Sequence, residues 1–269
     1  MSFPQRRESK LDIPFKNVVI DWIPSCEGMT KQNKKMTHKR LGKLIVIEGI
    51  DGSGKGTQLE MLLKYLSGKQ IKYSYFDFPQ YGKTFFGDFA GRFLNGEFGH
   101  FSRINPYLAS FPYAADRWQV KAQLWQAIND GKIVVCNRYT PSSIYQAVKI
   151  KPLQRKKFLD WVKTLEYEVF GIPQPSLVIF LHVPLIFAQT LIAQKKQRSY
   201  LGVGEKDQYE KDTEYLKKVE SMYLDIARSD KNWVKINCVE NNKILAPEII
   251  HKKIVDIISS PKFDKHNNS

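Results

Sequence analysis

Between residues 49 and 58 the chain reads Gly-Ile-Asp-Gly-Ser-Gly-Lys-Gly-Thr-Gln. Glycines at 49, 52 and 54 let consecutive backbone N–H groups turn to one side, where no Cβ obstructs an approaching anion. Lys55 adds a full positive charge beside them. The β-rich run Leu44–Glu48 leads in, and a helical pattern begins directly after. A strand, a GxxxxGK turn and a helix together cradle polyphosphate. The amides and the positive end of the helix dipole receive oxygens, and the lysine reaches the β- and γ-phosphates. Gly49, Gly52, Ser53, Gly54, Lys55, Gly56 and Thr57 therefore read as a nucleotide-phosphate loop. The residue after Lys55 is Gly56 rather than the hydroxyl residue that usually meets Mg²⁺, and Thr57 follows one place later. A Mg²⁺ ion here would be held mainly by phosphates and water, with Thr57 the nearest hydroxyl.

Other residues narrow the chemistry. A GTPase would carry an NKxD guanine reader, which this sequence lacks; Asp88-Phe89-Ala90-Gly91 matches DxxG only as a string, with no β-rich run leading into it. A motor would usually end a second core strand in an acid, whereas the strand Lys132–Cys136 ends in Asn137-Arg138-Tyr139. Ligands of open parallel sheets bind at the carboxyl ends of strands, and a guanidinium at such an end, Arg138, suits an acceptor monophosphate. Asn137 can accept a hydrogen bond from a Mg²⁺-bound water but brings no negative charge. Tyr113 and Arg117 lie four apart in a helical stretch and share one face. A ring stacked on a base and a guanidinium donating to a pyrimidine carbonyl is one use of that pair; a core aromatic with a surface arginine is the other. Asp51, a carboxylate among phosphates, is costly unless it has a fixed donor or cation. The segment Lys195–Lys206 is basic and holds Gly202 and Gly204.

Taken in order, these segments resemble the thymidylate kinases, P-loop nucleoside-monophosphate kinases, over about Lys43 to Ile258. The resemblance rests on the loop with an acid inside it, Phe78-Pro79, Tyr113-Ala114-Ala115-Asp116-Arg117-Trp118, Asn137-Arg138-Tyr139, and a basic stretch before Tyr209-Glu210. It implies transfer of the γ-phosphoryl of ATP to dTMP, with Mg²⁺, in a homodimer. It gives Asp51 the sugar 3′-hydroxyl, Tyr113 and Arg117 the thymine, and Arg138 the acceptor phosphate. Tyr209 matches a lid tyrosine near the acceptor. Ser142, Tyr145 and Gln146 match a Ser and Tyr-Gln stretch, although the pair stands one residue early. The family takes its catalytic cation either from an arginine in the phosphate loop or from a basic lid. No arginine lies between Gly49 and Lys55, so the lid, about 195–208, is expected to supply it through Arg198. The loop Cys238–Asn242 lies where the family cradles adenine. Two departures stand out: Asn137 replaces the usual Asp, and Gln80-Tyr81-Gly82-Lys83 lacks the arginine that many relatives place after Phe-Pro. Lys83 or Arg92 are the candidates to replace it, and either could equally be a plain surface cation.

These residues need a scaffold, and the hydrophobic pattern supplies one. Short β-rich runs at Leu44–Glu48, Tyr73–Phe78, Ile133–Asn137, Leu177–Val183 and Trp233–Asn237 alternate with helical stretches at Thr57–Ser67, Pro106–Asn129, Arg155–Phe170, Pro184–Lys195, Tyr209–Arg228 and Pro247–Ile258. Two-sided apolar strands joined by helical crossovers predict a doubly wound α/β domain, a five-stranded parallel sheet with helices on both faces, over residues 43–258. Residues 1–42 hold nine Lys/Arg and four Asp/Glu and read as a flexible basic extension; residues 259–269 read as a polar tail.

Composition excludes several classes. Hydrophobic residues at 42% and charged residues at 26% of 269 are ordinary for a globular chain. No apolar run approaches the roughly 18 residues that span a bilayer, so no membrane association is expected. The three cysteines, Cys26, Cys136 and Cys238, are far apart and form no CxxC, which fits a reducing compartment and a cytoplasmic enzyme. A net charge of +15 attracts phosphates without choosing among them. Nucleic acid is not the expected partner. The competing readings are a kinase for UMP, CMP or AMP, against which Asp51 and the Tyr113/Arg117 pair argue, and a non-catalytic nucleotide- or nucleic-acid-binding module.

Overall fold

In the computed structural model, which describes residues 41–193, 212–260 and 263, five parallel strands form one sheet. β1 (Lys43–Glu48), β2 (Tyr73–Asp77), β3 (Ile133–Asn137), β4 (Leu177–His182) and β5 (Trp233–Asn237) lie in the order β2-β3-β1-β4-β5. The strand order reverses on either side of β1, which places the phosphate-loop strand at the centre. Every residue of β1 is buried, and its alternating side chains seed two cores. Ile45 and Ile47 join Val135, Ile179 and Leu181 on one face, and Leu44 and Val46 join Val134, Cys136 and Val178 on the other.

Helices cover both faces. Leu59, Leu62 and Leu66 of α1 (Lys55–Gly68) recur at helical spacing and enter the first core. Fully burying such a side chain contributes about 1.5–3 kcal/mol. The expected stretch from 106 to 129 is two helices, α3 (Pro106–Gln119) and α4 (Lys121–Asn129), because the backbone leaves helical geometry at buried Val120 (φ −106°, ψ 14°). Leu124, Ala127 and Ile128 of α4 pack into the second core. After the short α5 (Ile144–Ala147) comes α6 (Pro152–Lys163), which continues directly into a π turn over Thr164–Val169. α7 (Leu185–Ala193) and α8 (Thr213–Ser229) flank the expected lid, and α9 (Pro247–Ile258) closes the chain of elements.

The short helix α5, a further helix and a hairpin escaped the sequence pattern. α2 (Phe85–Leu94) is rich in aromatics and glycine, which lowers its helical signal. Its cap is Thr84, whose hydroxyl accepts from the Gly87 amide at 2.9 Å. β6 (Val239–Glu240) and β7 (Lys243–Ile244) form a two-residue hairpin, with Asn241 and Asn242 both left-handed (φ 49° and 56°). Asn-Asn supplies that turn geometry because asparagine tolerates positive φ.

Candidate active site

β1 delivers the chain to Gly49 at the carboxyl edge of the sheet. Gly52 has φ 81°, and a Cβ there would stand 2.3 Å from the Ala188 carbonyl oxygen of α7. Only glycine satisfies both conditions. Gly54 caps α1 in the left-handed region, and the space where Cβ atoms of Gly54 and Gly56 would stand is open. The Lys55 ammonium curls back and donates to the Gly49 and Ile50 carbonyls, each at 2.9 Å. The loop thus holds its cation at its own mouth. Thr57 is exposed on the first turn of α1. The buried hydroxyl of Ser53 and Oε1 of Gln58 have no hydrogen-bond partner. Buried polar atoms are ordinarily satisfied, and the Ser53 hydroxyl, which can donate, fits a site completed by a phosphate ligand; the Gln58 oxygen can only accept and is not such a group.

Behind the loop, Glu48 is fully buried and organises the turn after β3. Its Oε1 accepts from the Tyr139 amide at 3.1 Å and the Ser142 hydroxyl at 2.9 Å, and its Oε2 accepts from Tyr223 Oη at 2.8 Å. That turn puts Arg138 in the left-handed region (φ 59°), with its amide on the Ile47 carbonyl at 3.1 Å. Nη2 of Arg138 then donates to Asp51 Oδ1 at 2.7 Å, and the guanidinium lies 5.3 Å from the centre of the Tyr145 ring. Burial opposes the charge of Arg138, but Asp51, Tyr145, Tyr223 and Glu48 together outweigh it and push the guanidinium up.

Asp51 and Arg138 line a cavity of about 100 Å³, whose walls include Phe78, Tyr113, Arg117 and Gln146. The shared face expected for Tyr113 and Arg117 is present, since both line this cavity. Tyr113 is half-buried, edge-on to Phe93 at 6.2 Å. Arg117 is neither a surface residue nor unrestrained. Its Nε and Nη2 donate to the two oxygens of Glu166 at 2.6 and 2.7 Å, and Thr140 Oγ1 donates to the same carboxylate at 2.8 Å. Burial works against the Arg117 charge, and Glu166 more than restores it. Glu166 sits on the π turn, a distortion often found at functional sites.

The sequence reading missed this acid and others. Asp116 accepts from the Gln80 amide at 2.9 Å and from Thr84 Oγ1 at 2.5 Å, which pins the loop after β2 to α3. Burial pushes its carboxyl up, against those donors. Asp77 accepts from Asn137 Nδ2 at 2.7 Å, across paired strands. An acid therefore stands beside the amide that replaces the usual Asp, while Asn137 Oδ1 is buried without a partner. No local pattern flags Glu166 or Glu48, because each finds its partners dozens of residues away.

Among the described residues no group of three or more His, Cys, Asp or Glu could hold a metal ion. Neither Lys83 nor Arg92 is among the described residues that line the cavity. Arg92 instead pairs with Glu97 at 2.7 Å on the surface and lies over the Phe98 ring. Arg198, Tyr209 and the expected lid at 195–208 lie outside the described residues.

A family profile described as "Thymidylate kinase" matches residues 47–254. A thymidylate kinase of Schizosaccharomyces pombe is 26% identical over 232 residues, 86% of this chain and 95% of its own. One from Thermosipho melanesiensis is 31% identical over 214 residues, 79% of this chain and 96% of its own. Among solved structures, a thymidylate kinase from Candida albicans aligns with a TM-score of 0.65 at 23% identity, covering 84% of this chain and 94% of that one. At that identity the structural likeness speaks for the fold.

Proposed function

The chain belongs to the thymidylate kinase family, and from that premise we propose how its own residues divide the work. The reaction is transfer of the γ-phosphoryl of ATP to dTMP, giving dTDP. One observation carries the division of labour: Asp51 belongs to the phosphate loop and also lines the acceptor cavity. Donor and acceptor phosphates therefore meet without a covalent relay, and catalysis is positioning plus charge neutralisation.

The amides of Gly49, Gly52, Ser53, Gly54, Gly56 and Thr57 receive the ATP phosphates, and Lys55 leaves its carbonyl contacts for the β- and γ-oxygens. In the acceptor cavity Tyr113 stacks on the base, Arg117 donates to a thymine carbonyl, and Gln146 contacts the nucleotide. Arg138 turns from Asp51 to the acceptor phosphate, which frees Asp51 for the 3′-hydroxyl. Glu166 keeps Arg117 aimed, and a preset donor costs no reorganisation during the reaction. Arg198 and Tyr209 complete the site from the lid.

The unsatisfied Asn137 Oδ1, with the Asp77 carboxylate behind its amide nitrogen, fits a water of a hydrated Mg²⁺. Thr57 offers the nearest hydroxyl on α1. Held there, the ion would supply positive charge to neutralise the donor phosphates.

Large apolar side chains are exposed around α3, among them Leu108, Phe111 and Trp118, with Phe85 on α2 and Val169 on the π turn. Leu108, Phe111 and Trp118 recur at helical spacing, and contiguous apolar surface of this kind marks interaction sites. We assign it to the interface of a homodimer. No helix of the described residues is long and apolar enough to cross a membrane. Cys136 and Cys238 are buried free thiols, in keeping with a cytoplasmic enzyme.

A coupled assay of ADP release with dTMP, UMP, CMP and AMP, each with and without Mg²⁺, tests the function. Turnover with dTMP that requires Mg²⁺ is the expected result; turnover confined to another monophosphate would overturn it.

A further inference from the structure

Arg138 donates to two side chains. Its Nη2 meets Asp51 at the cavity, and its Nη1 lies 3.4 Å from Ser142 Oγ. A guanidinium can only donate, so the serine oxygen accepts from it and places its single hydrogen elsewhere. That hydrogen goes to Glu48, whose two carboxylate oxygens lie 2.9 and 3.0 Å from Ser142 Oγ. Glu48 therefore reaches the guanidinium through one hydroxyl. It also holds the backbone of the same turn, by accepting from the amide of Tyr139 at 3.1 Å.

Tyr223 fixes the acid from the other side. Its Oη donates from α8 to Glu48 Oε2 at 2.8 Å, and its ring stacks on Phe180 of β4 with centroids 5.0 Å apart. Burial first, and then the Glu48 charge, push the Tyr223 hydroxyl well up, so it keeps its proton as a donor. Glu48 and Tyr223 are both fully buried, and neither is among the described residues that line the acceptor cavity. An effect of this pair on a nucleotide in the cavity has to pass through the turn that carries Arg138.

We propose that Glu48 and Tyr223 are positioning residues for the acceptor phosphate, a buried counter-anion that holds Arg138 in place while it exchanges Asp51 for that phosphate. The proposal rests on the assignment of Arg138 to the acceptor phosphate. Arg138 has a left-handed backbone, which persists in a residue with a side chain only where the surroundings over-determine it. The bond from the Tyr139 amide to Glu48 supplies part of that constraint. Once Asp51 passes to the sugar hydroxyl, Glu48 still stands behind Ser142, so a mostly buried guanidinium keeps an anion on its protein side and meets the phosphate already aimed.

The test is calorimetric binding of dTMP and of thymidine, which lacks the phosphate, to the full-length wild type, Tyr223→Phe, Glu48→Gln, Arg138→Ala and the double variant Tyr223→Phe/Arg138→Ala, with a thermal melt of each. Phenylalanine keeps the ring contacts with Phe180 and Tyr145 and removes only the hydroxyl. The Kd for dTMP is expected to rise at least about threefold in Tyr223→Phe and about tenfold in Glu48→Gln, whose amide sets an N–H among donors. The Kd for thymidine should stay at the wild-type value in both. In the Arg138→Ala background, Tyr223→Phe should weaken dTMP no further. If Glu48→Gln fails to fold, Tyr223→Phe decides. A folded variant that binds dTMP as the wild type does, or that loses dTMP and thymidine equally, would overturn the role of the pair. Wild-type dTMP affinity in Arg138→Ala would instead overturn the assignment of Arg138 beneath it.

Discussion

The carboxylate of Asp51 and the guanidinium of Arg138 meet at 2.7 Å although 87 residues separate them. One comes from the phosphate loop and the other from the turn after β3. Each neutralises the other where a sugar hydroxyl and a phosphate would replace both contacts. The pairing removes the cost of an unpaired acid among phosphates, and it keeps in place the two groups proposed to bind the acceptor.

From this follows the first prediction. Asp51→Asn should raise the KM for dTMP roughly tenfold to a hundredfold, since a hydrogen bond to a charged group is worth about 1.5–3 kcal/mol. The same loss should appear when the wild type is given 3′-deoxy-dTMP, and the variant should lose nothing further on that analogue. Additive losses in steady-state kinetics would separate Asp51 from the 3′-hydroxyl.

Glu166→Gln bears on Arg117, the arginine proposed to read the base. Breaking a buried ion pair by removing one partner costs about 3–5 kcal/mol, so the melting temperature should drop markedly. In the folded fraction the KM for dTMP should rise while that for ATP stays near wild type. Equal effects on both substrates would mean that Glu166 serves stability alone.

Gly52→Ala combines a left-handed φ with an approach of 2.3 Å to the Ala188 carbonyl. Strain of this kind costs about 1–3 kcal/mol before the overlap with α7 is counted. ATP binding by calorimetry should be lost or greatly weakened. Wild-type affinity would show that the loop tolerates a Cβ against α7.

The reach of sequence reading divides along lines of distance. The five strands and their order of use in the site were legible, because each strand carries its own apolar pattern and β1 runs straight into a glycine signature. The same holds for the Tyr113/Arg117 pair, which one turn of helix brings together. What stayed hidden depends on long-range pairing. Glu166 reaches Arg117 across 49 positions and Glu48 reaches Tyr223 across 175, and nothing local marks either acid as a partner. α2 was missed for another reason. Its glycines and aromatics weaken helix propensity, and the helix forms because Gly87 lets it lie against Gln80, with Thr84 as its cap. The break at Val120 is equally silent, since the apolar spacing continues across it.

For the lid, Arg198→Ala should lower kcat by about a hundredfold or more, the scale seen when a preset transition-state donor is removed, while the KM for dTMP changes little. Rapid-quench measurement of the chemical step checks this; an unchanged rate would assign the transferring charge to another cation.

The central claim is that the glycine loop and its lysine deliver the γ-phosphoryl directly to dTMP. Single-turnover transfer from γ-³²P-labelled ATP, comparing wild type with Lys55→Ala, tests it most directly. Labelled dTDP should form in the wild type and fall by roughly a thousandfold in the variant, in line with the loss of a principal phosphate-stabilising charge. Labelled dTDP forming equally fast in both would contradict the account.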